Sequence, residues 1–312
     1  MRELIRDLAL ALRERVLPLL GSHASRAHGE QLAEGGDVTF EIDAQAEQTL
    51  ADFLRKRAPD VAFYSEDRGL VIPTSGARPP RTVLVVDPID GTRPALAGLE
   101  SCCVSVAAAP LRPDVTMGEV ELGCVVEIPS GTVFLAERGA GLVEGPPVVL
   151  SANERLERMF WCYGFRGRPA RPTAEVLADL IDASSVGGAT FDLGSAAFDM
   201  TRVITGQLDA YVEPGPRLIA DVPGMRAEFE RVGGGAVLNN SPYDLAAAAL
   251  CLSEAGAIVT DASGEPLDER PLLGSGEQFQ MSCVASANEP LHRLILEQLD
   301  AGIARLGAAR ED

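Results

Sequence analysis

Asp87 and Asp90 stand three apart in the stretch Val83-Leu84-Val85-Val86-Asp87-Pro88-Ile89-Asp90-Gly91-Thr92, at the end of an apolar, β-branched run. Such a run reads as a buried strand, and Asp-Pro as the turn that ends it. Pro88 fixes the backbone between the two carboxylates, so both can converge on one point, where like charges repel unless a cation neutralises them. Hard oxygen ligands of this kind suit magnesium, which is held by a few carboxylates together with water and substrate phosphate oxygens. Gly91-Thr92 follows, and Arg93-Pro94 suits the first turn of a helix, where proline forfeits no hydrogen bond. Free N–H groups at such a start bind phosphate. Taken alone, the decapeptide is equally an ordinary surface turn, because Asp, Pro and Gly are common turn residues.

Two further stretches carry matching residue types. Ser65-Glu66-Asp67 follows the short strand pattern Val61-Ala62-Phe63-Tyr64, and Tyr243-Asp244-Leu245-Ala246-Ala247 opens an alanine-rich helix. Alone, the acidic pair is a solvated turn and Asp244 a favourable charge at a helix start. Together and in this order, the three pieces resemble the signature of the inositol monophosphatase family, the magnesium-dependent, lithium-sensitive sugar phosphatases. That signature is an upstream Glu-Glu, then Asp-Pro-(Ile/Leu)-Asp-Gly-Thr, and later Trp-Asp followed by small residues.

The resemblance implies hydrolysis of a phosphate monoester by an activated water. Glu66, Asp87, the carbonyl of Ile89, Asp90 and Asp244 would bind two or more Mg²⁺ ions. Glu66 would also partner the nucleophilic water, and Thr92 and Asp43 would orient it. Asp90, Gly91, Thr92, the helix start Gly194-Ser195-Ala196 and the carboxylate of Glu213 would contact the substrate, an inositol monophosphate or a related sugar or polyol phosphate. The alternatives are a sugar bisphosphatase of the fructose 1,6-bisphosphate type and a family member that has lost catalysis and acts as a binding protein. The chain departs from the family pattern in several places. Asp43 comes one residue late after Val38-Thr39, Asp67 replaces a glutamate, Tyr243 a tryptophan and Ala247 a glycine, and Leu32-Ala33-Glu34 fills the place of a lysine.

The elements that must hold these residues are legible in the spacing. Leu4, Ile5, Leu8, Leu12, Val16 and Leu19 recur at three and four, predicting an amphipathic helix over residues 3–20 that Gly21 stops. A polar, glycine-containing loop is expected over 22–36, then a helix from Ala44 to Arg57 with Asp43 as its N-cap. Strands are expected over 102–109 and 118–126, with a hairpin over 131–141. In the second half, 175–181 and the start at Gly194-Ser195 read as helices, and 206–213 as a strand delivering Glu213. Leu245 to Ala255 reads as a helix ended by Gly256, with closing strands at 257–261 and around Cys283. The architecture expected from the resemblance is the layered αβαβα sugar-phosphatase fold, of α/β class. Pro146-Pro147 marks a boundary between an α+β half, 1–147, and an α/β half, 148–312.

The 312 residues allow one large domain or two smaller ones, and 46% hydrophobic content fits a globular protein. No apolar run approaches the ~20 residues needed to span a bilayer, and the N-terminal pattern is a charged helix rather than a signal peptide, so the cytoplasm is the expected compartment. The six cysteines show no metal-type spacing and read as reduced core residues. A formal charge of −19 argues against nucleic acid or an anionic membrane as partner. It is compatible with a phosphorylated substrate if bound magnesium supplies the local positive charge. A homodimer acting on a small phosphorylated sugar or polyol is the expected state. Between Glu213 and Tyr243 the chain carries a long insert where familiar members have a short connection, with one short helix capped by Asp221 and a glycine hinge at 233–235. Arg217, Arg226 and Arg231 of the insert, with Arg93, are candidates to contact a distal anionic group on the substrate.

Overall fold

The computed structural model describes residues 1–22, 28–32, 38–74 and 78–311. Its layers alternate helix and sheet. The outer helices α1 (Arg2–Val16) and α2 (Glu41–Arg57) cover one face of a seven-stranded sheet. That sheet is built from β3 (Ala62–Ser65), β4 (Gly69–Val71), β5 (Thr82–Asp90), β6 (Cys103–Pro110), β7 (Leu122–Glu127), β8 (Val133–Glu137) and β9 (Gly141–Glu144), in the order β4-β3-β5-β6-β7-β8-β9. Only β3 and β5 are parallel; the other neighbours are antiparallel. On its other face lie α5 (Ala196–Ile204) and α8 (Pro242–Glu254), which pack against each other. The second sheet follows, with β10 (Phe160–Cys162), β11 (Ala189–Phe191), β12 (Ala210–Glu213), β13 (Ile258–Thr260) and β14 (Cys283–Ser286) in the order β11-β10-β12-β14-β13. The last layer holds α4 (Ala170–Ser184) and α9 (Glu289–Glu311), with α6 (Gly215–Asp221) beside α9. This is the αβαβα arrangement expected from the sequence.

The hydrophobic pattern explains the layering. The apolar stripe of α1, Ile5, Leu8, Leu12 and Val16, is wholly buried with Ile42, Leu50 and Leu84 in the core beneath the first sheet. Central strands such as β6 are buried on both faces, which is why they read as continuous apolar runs rather than as alternation. The alanines of α8 let it lie close to the sheet. At Gly123 of β7 an added Cβ would come within 2.6 Å of the Ala247 carbonyl, so a side chain there would push α8 away. The core between the sheets draws on residues before and after Pro146-Pro147 alike.

Several elements differ from the sequence reading. The expected loop over 22–36 contains β1 (His28–Leu32), which pairs antiparallel with β2 (Val38–Phe40). Residues 23–27 and 33–37, including Ala33-Glu34 at the place of the family lysine, lie outside the described residues. Helix α2 begins at Glu41, so Asp43 is its third residue and not its N-cap. It still satisfies a free donor, accepting from the Phe40 N–H at 2.8 Å, as a charge in the first turn does. The strand expected over 118–126 starts only at Leu122, because Met117–Glu119 form a 3₁₀ turn closed by Glu119 on the Thr116 N–H at 3.1 Å. The insert holds two helices rather than one, α6 and α7 (Met225–Val232), and Asp221 ends the first instead of capping the second.

Candidate active site

The strand β5 runs through Asp87-Pro88-Ile89-Asp90 instead of stopping before it. Opposite β6, Asp87 pairs with Ser105 and Asp90 with Cys103, so three steps on one strand face two on the other. This is a β-bulge, not the turn expected from Asp-Pro. The bulge answers a geometric problem, since residues three apart on a regular strand point to opposite faces. The extra residue brings both carboxylates to one side, and Pro88, with no N–H to donate, is tolerated where the ladder is already broken.

Asp244 comes to the same point from the start of α8, where it accepts from the Ser241 N–H at 2.6 Å. Asp87, Asp90 and Asp244 each offer an oxygen within 4.8 Å of the others. Burial holds the Asp87 carboxyl well above its usual range, reinforced by the charges of Glu66, Asp90 and Asp244. Burial also raises Asp90, and pushes Asp244 up to about 8 with the charge of Asp90 adding to it. Asp90 receives help from its surroundings. Its Oδ2 accepts from the Ser195 hydroxyl at 2.7 Å and from the Ala197 N–H at 2.6 Å, so the start of α5 holds this carboxylate. Two buried acids and a half-buried one at this spacing, each costly to ionise alone, are a donor set that fits a hard divalent cation.

The remaining expected residues surround this trio. Glu66 is close enough to raise Asp87 but lies outside the three-carboxylate group. The Thr92 hydroxyl stands 3.1 Å from Asp43 Oδ1 and 3.2 Å from the Ile89 carbonyl oxygen. Burial pushes Asp43 up to about 7, against the bond from the Phe40 N–H. Gly91 has φ 89°, and a Cβ there would meet the Ser101 carbonyl at 2.6 Å and Ser195 Cβ at 2.8 Å, so only glycine lets α3 (Thr92–Ala97) start against α5. Gly194, Ser195 and Ala196 line a cleft with Asp90, Asp244 and Glu213. Ser195 and the backbone after it are turned toward Asp90. Glu213 is buried and paired with Arg168 at 2.5 Å. Its second oxygen accepts from the Gly215 N–H at 2.7 Å.

Two of the insert's arginines are engaged elsewhere. Arg217 is bound to Asp221, Asp300 and the Ala262 carbonyl. Arg226 is paired with Glu230 and Glu277. None of Arg217, Arg226 and Arg231 lines this cleft, and Arg93 lies over the Phe40 ring at 5.2 Å. The cationic residues that do line it, Arg166 and Arg168, precede α4 and went unnoticed in the sequence, where they sit in a glycine- and proline-rich connection without a motif.

Glu47 was also missed. Its spacing in α2 reads as an ordinary helix charge, yet it is buried and accepts from the Ser65 hydroxyl at 3.0 Å and the Asp67 N–H at 3.4 Å, on both sides of Glu66. It is a positioning residue for that turn. Burial raises its pKa from 4.5 to about 7, with Asp67 adding to the rise and the Ser65 bond opposing it. Between these values the folded protein holds a proton that the unfolded chain has released, so this contribution to stability is complete below pH 4.5 and is lost as pH rises through 7. Glu47→Gln mimics the protonated form. Its stability should therefore gain on that of the unmodified protein between pH 5 and pH 8 by an amount on the order of 3 kcal/mol, read as a rising melting-temperature difference. A difference that stays constant across that range would contradict the assignment.

Comparison with known proteins gives the same picture from a different direction. The inositol monophosphatase family model matches residues 1–303. The chain is 27% identical over 294 residues to a fructose-1,6-bisphosphatase/inositol-1-monophosphatase of Methanothermobacter thermautotrophicus, covering 91% of each. It is 27% identical over 270 residues to an inositol-1-monophosphatase of Caulobacter vibrioides (85% of this chain and 88% of that one). Over 230 residues it is 29% identical to a Nus factor SuhB of Xylella fastidiosa (73% and 70%). Among solved structures, the extragenic suppressor protein suhB of Bartonella henselae shares the fold with a TM-score of 0.69 at 21% identity, over 96% of this chain and 98% of that one. The match of the family model across nearly the whole chain, on a fold that gathers Asp87, Asp90 and Asp244 into one cluster, leads to one conclusion: the chain belongs to the inositol monophosphatase family.

Proposed function

We propose that this protein hydrolyses the phosphate monoester of a sugar or polyol, inositol monophosphate or a close relative of it, with magnesium as its metal. The observation that carries the reading is the trio Asp87, Asp90 and Asp244, the first two buried and the third half-buried, within 4.8 Å of one another and raised in pKa by burial and mutual repulsion. With Glu66 and the Ile89 carbonyl, these residues would hold the metal. When bound, magnesium supplies Lewis-acid stabilisation of the attacking and leaving oxygens.

The chain's own groups supply the rest. Thr92 has one hydroxyl proton; given to Asp43 Oδ1, it leaves the Thr92 oxygen free to accept from a water, which the pair then orients. Ser195 and the Ala197 N–H keep Asp90 in place, and Glu47 does the same for the turn that carries Glu66. Arg166 stands near Asp90 and Asp244, where its charge favours their ionised forms and would also meet the substrate phosphate. The halves 1–147 and 148–312 would each contribute part of this set, with Asp244 and the cleft wall coming from the second.

The monophosphate reading is favoured over a bisphosphate because Arg168 is already paired with Glu213 and none of the insert's arginines lines the cleft. The relatives named Nus factor SuhB favour a second reading, a binding protein on the same fold. Against it stands the complete acidic set. Phosphate release from a panel of sugar and polyol mono- and bisphosphates at saturating magnesium tests the two. We expect turnover, highest on a monophosphate. No release from any of them would overturn the phosphatase reading in favour of the binding protein.

A further inference from the structure

Among the described residues, eight buried side-chain atoms have no hydrogen-bond partner, and four of them belong to three residues lining the cleft: Arg168 Nε, Asp199 Oδ1, and both amide atoms of Asn239. Buried polar atoms are ordinarily paired, and each left bare costs about 1–3 kcal/mol. Their concentration at one cleft calls for a ligand that completes them.

The two residues with free acceptors come from different elements. Asp199 is 2% exposed on α5, with the Cys162 thiol of β10 beside its carboxylate and its Oδ1 left bare. Asn239 lies between α7 and α8, and its amide rests against Gly215. A Cβ on Gly215 would come within 2.2 Å of Asn239 Oδ1, so the missing side chain is what makes room for the amide. Neither residue belongs to the acidic trio or to the Thr92–Asp43 pair.

The four atoms comprise two donors, Arg168 Nε and Asn239 Nδ2, and two acceptors, Asn239 Oδ1 and Asp199 Oδ1. A second phosphate, which only accepts, would leave both acceptors bare and bring negative charge beside Asp192 and Asp199. An ammonium, which only donates, would leave both donors bare. Hydroxyl groups do both. We propose that Asp199 and Asn239 read hydroxyl groups on the unphosphorylated part of the substrate, selecting a polyhydroxylated monophosphate over a bisphosphate and over an ester without hydroxyls. This rests on the phosphatase reading above and names the residues that set its selectivity.

The test compares kcat/KM for inositol monophosphate, fructose 1,6-bisphosphate and phenyl phosphate in the magnesium-loaded protein, unmodified and as Asp199→Asn, Asn239→Ala and Gly215→Ala. Asp199→Asn conserves shape, and Gly215→Ala displaces the Asn239 amide but also crowds Glu213 Oε1, 2.7 Å from the added Cβ, so Asn239→Ala separates the two effects; melting temperatures identify any variant that has failed to fold. We expect the ratio of inositol monophosphate to phenyl phosphate to fall about tenfold or more in each folded variant, mainly through KM for the polyol. Ratios unchanged in the folded variants would overturn the inference. If the unmodified protein cleaves phenyl phosphate or the bisphosphate and shows no preference for the hydroxylated monophosphate, the phosphatase reading stands and this inference alone fails. If it cleaves none of the three, both fail.

Discussion

Asp90→Asn is expected to lower turnover about 10²–10³-fold, because it removes a charge from the acidic trio where metal stabilisation is worth several kcal/mol. The substitution is well suited to the question. Asp90 Oδ2 accepts from Ser195 and from the Ala197 N–H, and an amide oxygen can take over both bonds, leaving the NH₂ to face the other two carboxylates. The fold is then kept and the proposed metal ligand lost. In EDTA the variant should melt at or above the temperature of the unmodified protein, since one of three clustered, mutually repelling carboxylates is gone. Added magnesium should stabilise the unmodified protein and leave the variant nearly unmoved. Near-normal turnover of the variant at low magnesium would remove Asp90 from the site.

Arg168→Ala is expected to produce the largest loss of stability, about 3–5 kcal/mol, because it strands Glu213 as a buried, uncompensated charge. The two side chains are 7% and 2% exposed and lie 2.5 Å apart. Arg168 also reaches Asn240 at 3.3 Å, which in turn donates to the Tyr211 hydroxyl at 2.6 Å, so the loss spreads along a buried network. The melting temperature should fall roughly 5–10 °C. Arg168→Met combined with Glu213→Gln should recover much of that, since replacing both members removes the stranded charge. If the single variant melts like the unmodified protein, Glu213 has another compensating partner and its pairing has been misread.

What the sequence could and could not reveal follows from which interactions are local. The Asp87 to Thr92 run, the Ser65-Glu66-Asp67 piece and Asp244 were legible because each is a short pattern tied to its own strand or helix. The bulge at Asp87–Asp90 was not, because it exists only against β6; the sequence shows Asp-Pro, and a turn is the locally reasonable reading. Arg168 was invisible for the same reason. Its partner Glu213 is 45 residues away on β12, and nothing near Gly167-Arg168-Pro169 signals a buried ion pair. Glu47 looked like one acid among several on α2 until the fold placed it under the Glu66 turn. The arginines of the insert were plausible phosphate ligands by type and by their position between two site residues. Helix α6 instead turns Arg217 toward Asp300 on α9, a contact within one layer between segments distant in sequence.

The central claim is that Asp87, Asp90 and Asp244 form a cation site that serves phosphate release, and it is tested most directly by stripping the protein with EDTA and returning magnesium while phosphate is measured from inositol monophosphate. The account predicts no release above background in EDTA and a saturable recovery as magnesium is added, absent in Asp90→Asn. Equal release with and without magnesium would contradict it.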